Sequence, residues 1–165
     1  MLLSESFGNI EDISPVCYIA SEITNKESEM NKAEILAFIT EARIAFLATT
    51  DGTAARVRGM ETYRADENGL IFYTSKLKEV FKQLAANPDV EACYFAKGTQ
   101  VRVRGKIEIV EDLDLKKEIV SSRDFLKPMY PNDEAYANMG VCRLKGKATT
   151  WSMQNMTAPV TFIDL

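Results

Sequence analysis

The sequence predicts a mainly β fold with helices: a six-stranded antiparallel β-barrel decorated by a few helical segments. Three observations predict it. Apolar runs rich in β-branched and aromatic residues follow one another with turn signals at short spacing, as in barrels and sandwiches. The segment TQVRVRGKIEIVED (99–112) alternates Val101, Val103, Ile107 and Ile109 with Gln100, Arg102, Arg104, Lys106 and Glu108, the pattern of a half-buried strand. Strands do not alternate regularly with helices, and neither GxGxxG nor GxxxxGK[ST] occurs, so a doubly wound α/β sheet is disfavoured.

Taken in order, residues 1–30 read as an N-terminal extension, with VCYIA (16–20) as a short strand and TNKESE (24–29) as a polar linker. Asn31 with Glu34 is a variant of the capping box. Ile35, Phe38, Ile39 and Ala42 then share one face of a helix over 31–42. RIAFLATT (43–50) is a strand, Asp51-Gly52 a hairpin signal, and the return strand covers 53–64. ADENG (65–69) turns into a third strand, LIFYT (70–74). A helix over 77–86 places Leu77, Val80, Phe81 and Leu84 on its buried face and ends at Asn87-Pro88. VEACYFA (90–96) pairs with 99–112 around Lys97-Gly98. LDLKKEIVSS (113–122) is helical, KPMYPND (127–133) a Pro-rich loop, and MGVCRLKGKATTWSM (139–153) the last long strand. The barrel domain is thus assigned to 31–153, and the tail 154–165 is expected to add an edge strand or a subunit contact.

Composition narrows the function. With 165 residues and 46% hydrophobic content, one domain can bury a core without disulfides or metal. The balance of 20 basic against 24 acidic residues argues against a general nucleic-acid binder, though not against a local basic site. The chain has no histidine, which removes Ser-His and Cys-His catalysis and most zinc sites. Cys17, Cys93 and Cys142 are scattered, as expected of free thiols in a reducing compartment. No apolar run spans a bilayer and no basic n-region precedes an apolar one at the N-terminus, so a cytoplasmic location away from membranes is expected.

Two stretches carry candidate chemistry. In FYTSKLKEVFKQLAANPDV (72–90), Thr74, Ser75, Lys76 and Lys78 gather at a strand-to-helix junction. Basic residues there oppose the helix dipole, and a bound phosphate would offset that; an ordinary Ser75 cap with solvated lysines accounts for the pattern equally well. In ARVRGM (55–60), Arg56 and Arg58 project from one strand face, guanidiniums suit phosphate, and Gly59 admits a flat ligand close to the backbone. On that stretch alone a solvent-facing strand is the better reading. Gln100, Arg102 and Arg104 form a polar row that lines a groove or faces water.

Together these pieces resemble the pyridoxamine-5′-phosphate-oxidase-like FMN-binding split barrels, in particular the small flavoprotein, nitroimidazole-reductase-like branch. The resemblance spans 31–153 and rests on FLATTDGTAARVRGM (46–60), LIFYTSKLKEVFKQLAANPDVEACYF (70–95), QVRVRGKIEIVEDLDLKKE (100–118) and GKATTWSM (146–153), in matching order and spacing. It implies a homodimer of six-stranded barrels with FMN at the subunit interface. The strand Arg56, Val57, Arg58, Gly59 and Met60 would run along the flavin, with Arg56 or Arg58 at the phosphate. Tyr73, Thr74, Ser75 and Lys78 would cradle the phosphate and ribityl chain. Gln100 and, near the C-terminus, Trp151 would contact the cofactor.

Two departures stand out: Glu61 occupies about the place of a lysine that holds substrate phosphate in the oxidases, and their C-terminal arginine-histidine pair is missing. The implied activity is an FMN-dependent oxidoreductase passing electrons from a nicotinamide donor to a small electrophilic acceptor, without pyridoxamine phosphate oxidase activity. A non-catalytic, stress-associated flavin binder, or the same barrel holding haem or a deazaflavin, are the alternatives.

Overall fold

The computed structural model describes residues 30–165; the strand expected at 16–20 and the linker at 24–29 lie outside them. Helix α1 (Lys32–Ala42) is opened by the capping box expected, with Asn31 accepting from the Glu34 N–H and the Glu34 carboxylate accepting from Asn31 N–H. Strands β1 (Ile44–Thr50), β2 (Ala55–Asp66) and β3 (Gly69–Ser75) follow as an antiparallel meander. Helix α2 (Glu79–Ala86) leads to β4 (Asp89–Ala96) and β5 (Thr99–Val110). Then come α3 (Leu113–Ser121), two 3-10 turns (Asp124–Met129 and Ala135–Asn138), β6 (Met139–Ser152) and a two-residue β7 (Ile163–Asp164).

The strands pair in the order β3-β2-β1-β4-β5-β6, and β3 also pairs with β6, closing a six-stranded barrel. Two long strands make the closure. Strand β2 pairs with β1 through its first half and with β3 through its second, changing partner across a bulge between Thr62 and Arg64. Strand β6 serves β5 along most of its length and β3 at its start. At the centre of that β5–β6 pair Gly105 faces Gly146. A Cβ built on Gly105 would stand 1.9 Å from the Lys145 carbonyl oxygen, so only glycine lets the strands approach there. The β4–β5 hairpin turns on Lys97 and Gly98, both with positive φ, as a two-residue primed turn requires.

Leu47, Leu70, Phe72, Ala92, Tyr94, Val101, Val103 and Leu144 fill the barrel, and a buried 2.7 Å hydrogen bond joins Thr62 to the Tyr94 hydroxyl. Helices α1 and α2 close the core near opposite ends of β1, through Ile35 and Ile39 and through Val80 and Leu84. Outside the barrel, α3 and the 3-10 turns pack Leu115, Ile119, Leu126 and Tyr136 onto Ile71, Met139 and Val141 of β3 and β6.

Two expectations are corrected. Leu77 is 73% exposed rather than on the buried helix face, because the chain first turns through 75–78, with Lys78 N–H bonded to the Ser75 carbonyl at 3.1 Å. The helix therefore starts after Lys78, which is its N-cap in place of Ser75. Ile109, expected inside, is 42% exposed: β4 begins opposite Lys106, so beyond that point β5 has lost the neighbour that would have covered it.

Candidate functional site

Strand register sorts the candidate residues onto two faces. Arg56 pairs with Thr49 and Arg58 with Leu47, both buried, so these arginines lie on the inner-face row at the rim of the barrel. The guanidinium of Arg58 is committed there. It donates to Thr49 Oγ1 at 2.6 Å, to the Leu47 carbonyl at 3.1 Å and to Gln83 Oε1 of α2 at 2.7 Å. Partial burial, with Arg56 nearby, holds its pKa below the usual arginine range. Arg56 is exposed and donates from Nε to Asp51 at 2.7 Å. Met60 and Thr74 are buried on the inner face as well.

Val57 and Gly59 point the other way. Their partners across β1 are Ala48 and Phe46; Phe46 in turn faces Cys93 of β4, which faces Arg102 of β5. One step along, Phe95 faces Gln100 and Gln100 faces Trp151 of β6. Val57, Gly59, Gln100 and Trp151 thus share the outer face of the β2-β1-β4-β5-β6 sheet, on the side that α3 leaves uncovered. That face is apolar and open: Val57 is 64% exposed, Phe46 55%, Phe95 54% and Ile44 51%. A Cβ added at Gly59 would meet only Ile44 Cγ2 at 3.8 Å, so a flat group has room against this backbone.

The segment after β3 holds the other polar candidates. Ser75 Oγ accepts from the Leu77 N–H at 3.2 Å, and Lys78 projects its ammonium into solvent with no ion pair or hydrogen bond among the described residues. Lys76 is spoken for: its ammonium lies 2.5 Å from Glu111. Tyr73 faces outward beneath the α3 cluster and donates its hydroxyl to Glu61. Burial first, and then that carboxylate, push the tyrosine up to about 12.

Glu61 is not an isolated negative charge. Arg43 and Arg123 reach the same carboxylate oxygen at 2.5 and 2.9 Å. Burial alone would raise its pKa, but the hydrogen bonds from Tyr73, Arg43 and Arg123 outweigh that and hold it below the usual range. Glu61, standing where the resemblance puts a lysine, is thus a paired charge, and a phosphate placed here would have to take two guanidiniums away from it. Sequence reasoning missed Arg43, Arg123, Gln83, Phe46 and Phe95. The last two were legible as the polar-side positions of β1 and β4 occupied by phenylalanine; the others act across distances that no local spacing encodes.

Among the described residues no cluster of acidic or cysteine side chains could hold a metal ion, and no helix is long and apolar enough to cross a membrane. No curated protein matches this chain. Among solved structures, a NimC/NimA family protein from Clostridium acetobutylicum is 26% identical, with a TM-score of 0.67, 81% of this chain covered and 92% of that one. General stress protein 26 from Bacillus anthracis str. Sterne is 19% identical at a TM-score of 0.64, covering 82% and 100% respectively. A heme binding protein from Mycobacterium smegmatis is 15% identical at 0.62, covering 83% of this chain and 59% of its own. These last two likenesses are of fold. Residues 32–140, most of the barrel, match the family described as pyridoxamine 5′-phosphate oxidase, and this chain belongs to that family of flavin-binding split barrels.

Proposed function

We propose that the chain binds FMN at the interface of a homodimer and passes electrons from a nicotinamide donor to a small electrophilic acceptor. The observation that carries this reading is the open apolar outer face around Val57, Gly59, Phe46 and Phe95, bordered by Gln100 and Trp151, in a barrel whose other sheet face is packed. A flat, largely apolar ring with polar edges suits such a face, and a second copy of the chain would complete its burial.

The residues present fit the cofactor. The backbone from Arg56 to Met60, with the Val57 side chain and the open space at Gly59, would support the ring. Ser75 and Lys78 would hold the ribityl chain and phosphate, whereas Tyr73 is engaged by Glu61 beneath α3 and Thr74 faces the barrel interior. Of the two arginines, Arg58 is engaged by Thr49 and Gln83, so the phosphate charge falls to Lys78 and to Arg56, whose exposed pair with Asp51 is exchangeable. The electron chemistry would be that of FMN, with the protein supplying position, electrostatics and access. Histidine-ligated haem has no ligand in a chain without histidine.

The same site is not built for pyridoxamine phosphate, because Arg43 and Arg123 are held by Glu61. The test is anaerobic mixing of FMN-loaded protein with NADH or NADPH. Loss of the flavin absorbance, restored by a quinone or nitroaromatic acceptor, is the expected result. Absence of bleaching with either donor refutes the electron-transfer role and leaves a flavin binder.

A further inference from the structure

The C-terminal tail does something the barrel does not need for closure. It leaves β6 through a turn in which the Asn155 N–H bonds the Ser152 carbonyl at 3.2 Å, and it returns where Ile163–Asp164 pairs with Lys147–Ala148. Its end is fixed by an Asp164–Lys147 ion pair at 3.3 Å and by the Leu165 N–H on the Gly146 carbonyl at 3.1 Å. Between these anchors the tail crosses the outer face of β5 and β6, where the Phe162 ring lies 3.9 Å from the Arg104 guanidinium. Beneath it is a cavity of about 350 Å³ lined by Gln100, Arg102, Thr149, Trp151, Ala158 and Val160.

Three features of that cavity call for a ligand. Thr149 is only 6% exposed, and its hydroxyl is buried without a hydrogen-bond partner among the described residues. A buried hydroxyl in that state carries a desolvation cost, which rotation of the Thr149 side chain toward an acceptor on a ligand in the cavity would remove. Arg102 stands 3.5 Å from Glu91 at its nearest, through Nε, and its guanidinium makes no hydrogen bond among the described residues, which leaves donors for a ligand. Trp151, Val160 and Ala158 give the other walls a flat apolar surface. Two arginines, Arg102 and Arg104, stand against the single carboxylate of Glu91 on this stretch of sheet, so the local charge favours an anion.

We propose that this cavity is a binding site for a small aromatic carboxylate, with Arg102 and Thr149 taking the carboxylate and Trp151 and Val160 the ring. Because Gln100 and Trp151 also border the face assigned to the flavin, the ligand sits beside the cofactor. The site itself goes beyond the flavin reading and does not depend on it.

Trp151 is the only tryptophan of the chain, so its indole N–H gives one cross-peak in a ¹H–¹⁵N spectrum, which reports on the wall shared by this cavity and the proposed flavin face. Benzoate titrated into the full chain should shift that peak saturably, and bind about tenfold or more tightly than benzyl alcohol, its neutral analogue. Arg102→Gln should abolish most of that preference, and Thr149→Val, which keeps shape and apolar contacts, should weaken benzoate while leaving benzyl alcohol unchanged. Each variant's fold is checked by its unliganded spectrum. No saturable shift, equal affinity for the two probes, or a preference that survives both substitutions would overturn the site. Repeating the titration with FMN bound separates the two readings. Benzoate binding that persists supports a site beside the flavin, whereas its loss by competition means that the cavity is part of the flavin seat and overturns a distinct one. Failure of the protein to take up FMN leaves the benzoate result standing.

Discussion

Single residues divide here between those held by the protein and those left for a ligand. Lys78, without an ion pair among the described residues, and Arg56, held only by its exposed pair with Asp51, are the proposed phosphate contacts, and alanine at either is expected to weaken FMN by roughly 1.5–3 kcal/mol, read by flavin titration. Arg58→Ala should act first on stability. It strips partners from Thr49 and Gln83, so a loss on the order of 1–3 kcal/mol is expected in denaturant unfolding before any cofactor is added. Glu61 gives a pH signature. Its folded-state pKa lies below its ordinary value, so the stabilisation is complete above the unfolded pKa of about 4.3 and fades as pH falls through the folded value. Glu61→Gln should therefore lower stability at pH 7 and flatten the decline as pH falls below the unfolded value, where the parent chain is losing what the variant never had. Thermal unfolding measured at several pH values checks both parts.

Secondary-structure elements were largely legible in the sequence, and the reasons differ from one to the next. Helix α1 announced itself by Asn31, Glu34 and the Ile35-Phe38-Ile39-Ala42 stripe, and it forms from those residues. The Lys97-Gly98 hairpin was legible because a two-residue primed turn leaves few alternatives. The start of α2 was not. Leu77 fits the helical stripe by spacing, but tertiary contacts at the strand end, including the Lys76 N–H on the Asn138 carbonyl at 2.8 Å, hold the chain in a turn past it. The contrast is measurable: Leu77→Ser should change stability by no more than about 0.5 kcal/mol, and Leu84→Ala, at a position 2% exposed, should cost about 2–5 kcal/mol. The Gly105–Gly146 crossing was silent in the sequence, since nothing local marks two strands that approach to within a backbone's width. Alanine at either position should force the strands apart and cost about 1–3 kcal/mol or more.

For the molecule as a whole, the sequence carried the barrel and its family, but not which elements bring the candidate residues together. Spacing put Arg56 and Arg58 on one strand face and offered either for the phosphate; register adds that this row lies at the inner-face rim, with Val57 and Gly59 on the open outer face. That open face is what ties fold to function in this account. A second copy seated on it predicts a dimer in light scattering, and Phe46→Glu, which places a charge at its centre, should shift the chain toward monomer and lower its FMN content together. Whether this barrel is a flavoprotein is read from the absorption spectrum of the purified protein and from the flavin it releases on denaturation. A yellow protein that yields close to one FMN for each chain after saturation is expected. A colourless protein that takes up no FMN when titrated with it would rule flavin binding out.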